Sequence, residues 1–580
     1  MSKVNDANNL SNLRHSLAHL LAAAVVDLWP DTRRAIGPAI DDGFYFDFEF
    51  SEPISEKDLP KIEKKMRQIL PTWDEFSRIE LSATEAKNEH KNNPYKLELI
   101  EQFSDGGRKK VTVYQSGKYR DLCRGGHVAS AKEIDPQSFK LHRVAGAYWR
   151  GSEKNPMLTR IYGLAFETKK DLEDYLALLA EAEKRDHKKL GPKLELFMFH
   201  PTAPGMPYWL PKGVTVYNTL IKFWREEHRA RGYQEIVSPL LNKKNLFVTS
   251  GHFEHFWQDM FTLKVEGEEY GLKAMNCPNA MIVFGSKSRS YRDLPLRFSD
   301  TDTLHRNELS GTLNGLFRVR SFRQDDAHIF VTEEQIGQEY ERIFEIVDKF
   351  YSIFGLEYSF RLGTRPEKFL GDEKTWDLAE TTLQKILKAG KHKFVIGEKE
   401  GAFYGPKVDI LMKDALNREW QMGTIQLDFQ QPKRFKLEYI DQKGKKQTAV
   451  VIHRVIYGSL ERFIAILIEH FAGALPLWLS PVQVAVLPIS DKFNDYAKEV
   501  VSELRNTNYE LRIELDERNE SIGKKIREAE LQKIPYILVV GEKEQSSRTI
   551  SVRQHGESKQ TQLPLPELVK ELLEKIQKKN

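Results

Sequence analysis

The sequence predicts a multidomain α+β protein, and three observations carry the prediction. Its 580 residues allow about three to five domains. The middle of the chain mixes long helical patterns with β-branched and aromatic strand runs that do not alternate regularly with helices. That describes a mostly antiparallel sheet with helices laid on it. The last ~100 residues instead alternate strand and helix, as a small α/β domain does.

Composition excludes several classes. Forty per cent of residues are hydrophobic and thirty per cent charged, ordinary for a globular chain with ample core. No stretch approaches the ~20 apolar residues of a membrane span, and the polar N-terminus has no secretory apolar region, so a cytoplasmic chain without a membrane partner is expected. A net charge of +4 gives no electrostatic hint of nucleic acid. Two cysteines, Cys123 and Cys277, cannot build a disulfide framework, which leaves metal or site chemistry to test.

The first block, residues 1–168, opens with LRHSLAHLLAAAVVDLW, apolar at helical spacing, followed by strand runs FYFDFEF and KVTVYQS between Gly and Asp turns. A long charged helix from about 169 to 189 follows, and Leu190-Gly191-Pro192 should end it, giving a linker over 169–192. The second block, 193–476, has strand runs LKAMNC, FRVRSF, REWQMGTIQLDF and AVVIHRVI. The third, 477–580, reads strand (VQVAVLPI), helix (NDYAKEVVSELRN), strand (YELRIEL), helix (IGKKIREAEL), strand (YILVVG), strand (TISVRQ) and helix (LPELVKELLEKIQKK). A β-hairpin within GEKEQSSRTISVRQHGES supplies one antiparallel edge.

Cys277, His328 and His453 offer one thiolate and two imidazoles, three zinc ligands with a fourth position open. The spacing is too long for a zinc finger. On spacing alone, a buried thiol with two hydrogen-bonded histidines is the plainer account. The neighbours change that balance. HRNE at 305–308 precedes FRVRSFRQDDAHIF at 317–330, placing Arg306, Glu308, Arg318, Gln324 and Asp326 on two strands joined by a loop. Arginines aimed into a cleft suit a triphosphate, because guanidinium binds phosphate oxygens in a bidentate way. GSLERF then opens an apolar helix carrying Arg462, and an earlier helix ends in RARGYQEIVSPLL with Pro239 at a strand end.

This order resembles the three signature motifs of class II aminoacyl-tRNA synthetases, at Pro239, Arg306 and Arg462. The strings AMNCP, HRNELSGTLNGLFRVRSFRQDDAHIF, AFYGPKVD, REWQMGTIQLDF and IHRVIYGSLERF are similar to those of the threonyl-tRNA synthetase family over nearly the whole chain. The resemblance implies an antiparallel class II catalytic core with helices at 193–476, an α/β editing domain at 1–168 and an α/β anticodon-binding domain at 477–580. It implies ATP with Mg²⁺, L-threonine and tRNA(Thr) as substrates, one zinc per chain on Cys277, His328 and His453, and a homodimer. It places Arg306 on the α-phosphate, Arg318 and Arg462 on the β- and γ-phosphates, and Glu308, Gln421 and Thr424 on the nucleotide side. Gln324, Asp326, Tyr404 and Gln426 surround the amino acid, and His252 assists transfer to the tRNA ribose. Met422 departs from the pattern, since relatives often carry a small or thiol side chain there.

His15 and His19 share one helix face, and Cys123 and His127 lie in DLCRGGH, a set with the look of a four-ligand zinc site. Two core histidines and a buried thiol are the bland account. The block resembles the editing domain of threonyl- and alanyl-type synthetases. The alanyl type holds zinc with these residues, and the threonyl type works as a metal-free hydrolytic site with Asp121 and Lys96. The catalytic strings favour the latter. CRGGH stands where CRGPH is common, which loosens the loop. The resemblance also implies a short form without the family's extra N-terminal domain. In the third block Asn519, Glu544 and Arg553 match anticodon-contacting positions, where near-balanced charge makes base edges and stacking the expected means of recognition. Seryl- and prolyl-type synthetases share the core but not the two Cys/His sets. A non-catalytic RNA-binding regulator would have lost Arg306, Arg462 or a zinc ligand, and none is lost.

Overall fold

A computed structural model describes residues 2–104, 110–506, 511–557 and 559–579. The chain forms two compact units, Met1–Glu181 and Ala182–Asn580.

In the first unit the helix Ser2–Leu28 buries Leu13, Leu17, Leu20, Leu21 and Ala24. They pack with Phe44, Phe46 and Phe48, which belong to the strand Gly43–Glu49. That strand lies in an antiparallel sheet with Met157–Ala165 and Phe139–Tyr148. A second antiparallel sheet joins Ser77–Ser82, Lys110–Ser116 and Tyr119–Leu122. The turn after it carries Cys123 and His127 back beneath the first helix.

The expected single helix over 169–189 is two helices, Lys169–Arg185 and His187–Lys193. The break has a local cause: the Asp186 side chain accepts from Lys188 N at 2.8 Å and caps a new helix. Gly191 and Pro192 lie inside that second helix rather than ending it.

The second unit is built on a nine-stranded sheet in the order Gln234–Glu235, Leu296–Asp300, Ser321–Val331, Val450–Ser459, Glu419–Asp428, Lys407–Lys413, Glu357–Gly363 and Phe394–Gly397, with Thr303–His305 paired to Ser321–Val331. Every pairing is antiparallel except the two at the edges, as the strand runs predict. Strand alternation sorts the residues. Ala327, Ile329, Ile425, Ile452 and Ile456 join one core with the helices Pro211–Ala230, Ile336–Ser352 and Leu460–His470. Asp326, His328, Thr424, Gln426 and His453 face the other way, into a cavity.

Three strand expectations need correction. The run LKAMNC ends its strand at Leu272, and Cys277 opens the helix Cys277–Gly285, where Pro278 suits the first turn. In FRVRSF the strand starts only at Ser321. Arg318 therefore lies on a loop. Pro239 follows a strand of two residues, Gln234–Glu235, and is not at its end.

The C-terminal part orders its strands Ile513–Leu515, Val484–Pro488, Tyr536–Val540, Thr549–Gln554 and Gln560–Pro564, the first three parallel and the last two antiparallel. Tyr509 and Glu510 of the expected YELRIEL strand lie outside the described residues. The hairpin expected within 541–558 is displaced. Glu542–Ser547 is a helix, and Thr549–Gln554 pairs with Gln560–Pro564, a strand the sequence did not announce. Glu544 closes that helix start by accepting from Gly541 N at 3.0 Å.

Candidate active site

The cavity on the open face of the large sheet measures about 660 Å³. Cys277, His328 and His453 meet at its floor. His328 and His453 are direct partners across two neighbouring strands, and Cys277 comes from the first residue of its helix. Their ligand atoms all lie within 4.8 Å of one another, and all three side chains are buried. Asp428 Oδ2 holds His453 Nε2 at 3.0 Å, and two backbone N–H groups fix Asp428 in turn. A carboxylate behind an imidazole is the arrangement that orients a metal-ligating histidine. His328 Nδ1 is buried with no hydrogen-bond partner among the described residues. Burial, then Asp326 and Asp428, push the Cys277 thiol well above its usual range. Burial, then His453 and Arg454, hold His328 well below its own. A dication at this floor would reverse the thiol's penalty and use the neutral His328 imidazole as it stands. The donor set, the orphaned nitrogen and the Asp428 carboxylate behind His453 all fit zinc.

Beside the floor, Asn276 Nδ2 donates to Asp326 Oδ2 at 3.2 Å, and burial raises the Asp326 carboxyl to about 6. The Tyr404 hydroxyl donates to Gln426 Oε1, and Gln324 also lines the wall. His252 packs 3.8 Å from Cys277 Sγ through Nε2, while its Nδ1 meets Ser250 Oγ at 2.8 Å. Burial and nearby cations take His252 down to about 3, so its ring is neutral near pH 7.

The other end of the cavity is cationic. Arg306 is anchored through Nε to Ala274 O at 3.3 Å. Arg462 is anchored through Nε to Phe317 O at 3.0 Å and through Nη1 to Gln421 O at 3.2 Å. Burial lowers both guanidinium groups, and Arg318 and Arg306 lower Arg462 further by repulsion. Gln421 Nε2 and Thr424 Oγ1 both donate to Asp409 Oδ1, at 2.9 and 3.0 Å. Glu308 and Arg318 do not line the cavity. They pair with each other through Arg318 Nε at 2.9 Å. The other candidates from this block line it together.

In the first unit, His15, His19, Lys96, Asp121 and Cys123 line a separate cavity of about 490 Å³. His127 stands behind them. It stacks on Phe76 at 4.7 Å, and its Nε2 meets Cys123 Sγ at 3.3 Å. Burial lowers His15, sends His19 well below its usual range and takes His127 to about 3. Burial lifts the Cys123 thiol to about 11. Lys96 Nζ and Asp121 Oδ1 form a buried pair at 2.8 Å. Burial opposes the Asp121 charge, but Lys96 and Arg34 outweigh it and hold the carboxyl low.

Comparison with known proteins decides the family. The model for the tRNA synthetase class II core domain (G, H, P, S and T) matches residues 261–471, the anticodon binding domain 483–575, and the threonyl and alanyl tRNA synthetase second additional domain 111–162. The chain is 48% identical to a threonine–tRNA ligase of Caldanaerobacter subterraneus over 97% of its own length and 87% of the relative's. It is 50% identical to one from Thermotoga maritima, over 93% and 84%. The chain belongs to the threonine–tRNA ligase family. A solved RNA binding domain of threonyl-tRNA synthetase from Cryptosporidium parvum is also similar, with a TM-score of 0.65 and 42% identity over 67% of this chain and 98% of that one.

The anticodon candidates are less gathered than the others. Asn519 is exposed in a bend before the helix Ile522–Leu531. Glu544 also accepts from Ser551 Oγ at 2.7 Å, and Arg553 Nε pairs with Glu530 at 2.9 Å. Sequence reasoning missed Asn276, Asp409, Asp428 and Arg361, whose Nη2 reaches Gln421 Oε1 at 2.8 Å. Asp409 and Asp428 stood inside the strings AFYGPKVD and REWQMGTIQLDF, but only strand pairing reveals which face they serve. Among the described residues no helix is long and apolar enough to cross a membrane.

Proposed function

We propose that this chain ligates L-threonine to tRNA(Thr) with ATP and Mg²⁺, through a threonyl-adenylate, and hydrolyses mischarged seryl-tRNA in its first unit. The observation that carries the reading is the cavity with two unlike ends: half-buried arginines whose charges repel, and a floor of Cys277, His328 and His453. Clustered guanidinium groups suit a triphosphate. In the first step a threonine carboxylate oxygen bonds to the α-phosphorus and the bond to pyrophosphate breaks. Arg306 neutralises charge at the α-phosphate, and Arg462 and Arg318 hold the departing phosphates. Gln421 and Thr424, with Glu308, take the nucleotide side. Gln324, Asp326, Tyr404 and Gln426 enclose the amino acid. Zinc held by Cys277, His328 and His453 would supply Lewis-acid coordination to the substrate's amino group and hydroxyl. In the second step a tRNA ribose hydroxyl attacks the carbonyl and AMP leaves. His252 is assigned to assist this transfer as the hydroxyl proton is lost.

Asn519, Glu544 and Arg553 are assigned to the anticodon. The proposal includes action in the cytoplasm and a homodimer through Pro211–Ala230 and the segment after it, where Val237 is 83% exposed. ATP–pyrophosphate exchange with each of the twenty amino acids tests the reading, with exchange expected for threonine. Arg306→Ala should lower that exchange by about 100-fold or more while tRNA binding holds, since the lost interaction is made mainly in the transition state. Parental exchange in the variant would contradict the role.

A further inference from the structure

His187 is fully buried, yet it lines neither cavity, and nothing above uses it. It opens the helix His187–Lys193 and reaches beneath the loop that joins Arg306 to the strand Ser321–Val331. Both ring nitrogens are engaged. Leu316 N donates to Nε2 at 3.0 Å, so Nε2 is unprotonated and the proton resides on Nδ1. Nδ1–H then donates to Glu469 Oε1 at 2.7 Å. The loop passes so closely that a Cβ on Gly315 would lie 2.3 Å from Nε2.

Phe317, which follows Leu316 in that loop, packs edge-on against the His187 ring at 4.3 Å and tilted against Trp420 at 4.3 Å. Trp420 Nε1 donates to Asp414 Oδ2 at 2.8 Å, Arg418 Nε donates to the same oxygen at 2.6 Å, and Arg418 Nη2 returns to Glu469 Oε2. The result is a closed ring of contacts through His187, Glu469, Arg418, Asp414, Trp420 and Phe317. The two carbonyls that orient Arg462 belong to that ring or adjoin it: Phe317 O and Gln421 O.

We propose that His187 is a positioning residue for Arg462: by accepting from Leu316 N it fixes the Phe317 carbonyl, and that carbonyl aims the guanidinium into the cavity. The two sides of the imidazole are not equally replaceable. Glu469 keeps two other donors, Arg418 and the His187 backbone N–H at 3.2 Å. Leu316 N–H is buried with Nε2 as its acceptor, and an unpaired buried donor is costly. The acceptor side therefore carries the function.

This inference rests on the synthetase reading, which the parent's exchange with threonine tests separately. The experiment compares His187→Gln with His187→Asn in the full chain. A glutamine amide oxygen can take the place of Nε2, whereas an asparagine amide reaches only the Nδ1 position. His187→Asn should lower kcat/KM for ATP about tenfold or more, with KM for threonine within about twofold of the parent. His187→Gln should restore most of that loss. Equal behaviour of the two variants in either direction overturns the proposal, as does a KM for threonine that rises with that for ATP. A thermal midpoint lowered equally in both variants also counts against it, because the pair would then be holding the fold and not Arg462. A parent without threonine-dependent exchange would sink the synthetase reading itself.

Discussion

Cys277 shows how one side chain's environment selects its chemistry. A thiol at a helix start is ordinarily acidified, yet burial and two carboxylates push this one far up. Without a cation the site is poorly matched to its own residues, and with one it is well matched. Metal analysis of the purified chain should find about one zinc per chain, as three protein ligands with an open fourth position predict. Cys277→Ser should lose it together with threonine activation, while Cys123→Ser keeps both. Stoichiometric zinc retained in Cys277→Ser would end the assignment. Zinc lost only with Cys123 would move the metal to the first unit, where His15, His19 and His127 surround that thiol.

Single elements explain which parts of the fold were legible. Strand runs of alternating faces, such as REWQMGTIQLDF, were read correctly because the pattern is local. The convergence of Cys277, His328 and His453 was suggested by resemblance and not by spacing, since register between distant strands leaves no local trace. FRVRSF looks like a strand, but its first residues are held by loop contacts: Arg320 N donates to Gly205 O at 2.7 Å. Asp186 interrupts a charged helix by a local cap on Lys188 N, a signal that any Asp in a charged run could offer and that a run of helix-favouring residues conceals. Gly458, by contrast, has a position only glycine suits. It sits at φ 84° as the penultimate residue of the strand Val450–Ser459, just before the helix Leu460–His470, and a Cβ would lie 2.5 Å from Met422 O. Gly458→Ala should cost ~1–3 kcal/mol in strain and shift Ser459, whose Oγ caps Arg462 N. Denaturant unfolding would read the first effect and ATP–pyrophosphate exchange the second; a variant unchanged in both would show that the turn has slack.

At the scale of the whole chain, two cavities in two units divide one selectivity problem. A site built around a hydroxyl can reject valine by roughly 10⁴–10⁵, but serine lacks only a methyl, worth ~1–3 kcal/mol. The floor of the larger cavity should therefore exclude valine and admit serine, leaving removal of serine to the first unit. There the neutral His15 and His19 can position a water against a seryl ester. His15→Ala with His19→Ala is expected to leave threonylation intact and let seryl-tRNA accumulate. Hydrolysis of seryl-tRNA at the parent rate would refute the assignment, and a collapse of threonylation would make these histidines structural.

The Glu308–Arg318 pair, outside the cavity lining, adds a sense of time to this arrangement. A carboxylate engages the arginine that the proposal gives to the outer phosphates, so an arriving triphosphate competes with Glu308 for it. AMP carries no outer phosphates and leaves the pair undisturbed. Once pyrophosphate has gone, the glutamate can reclaim its partner before the second substrate reacts. On the proposed assignment, Arg318 trades a carboxylate for phosphate oxygens as a turnover begins and takes the carboxylate back at its midpoint.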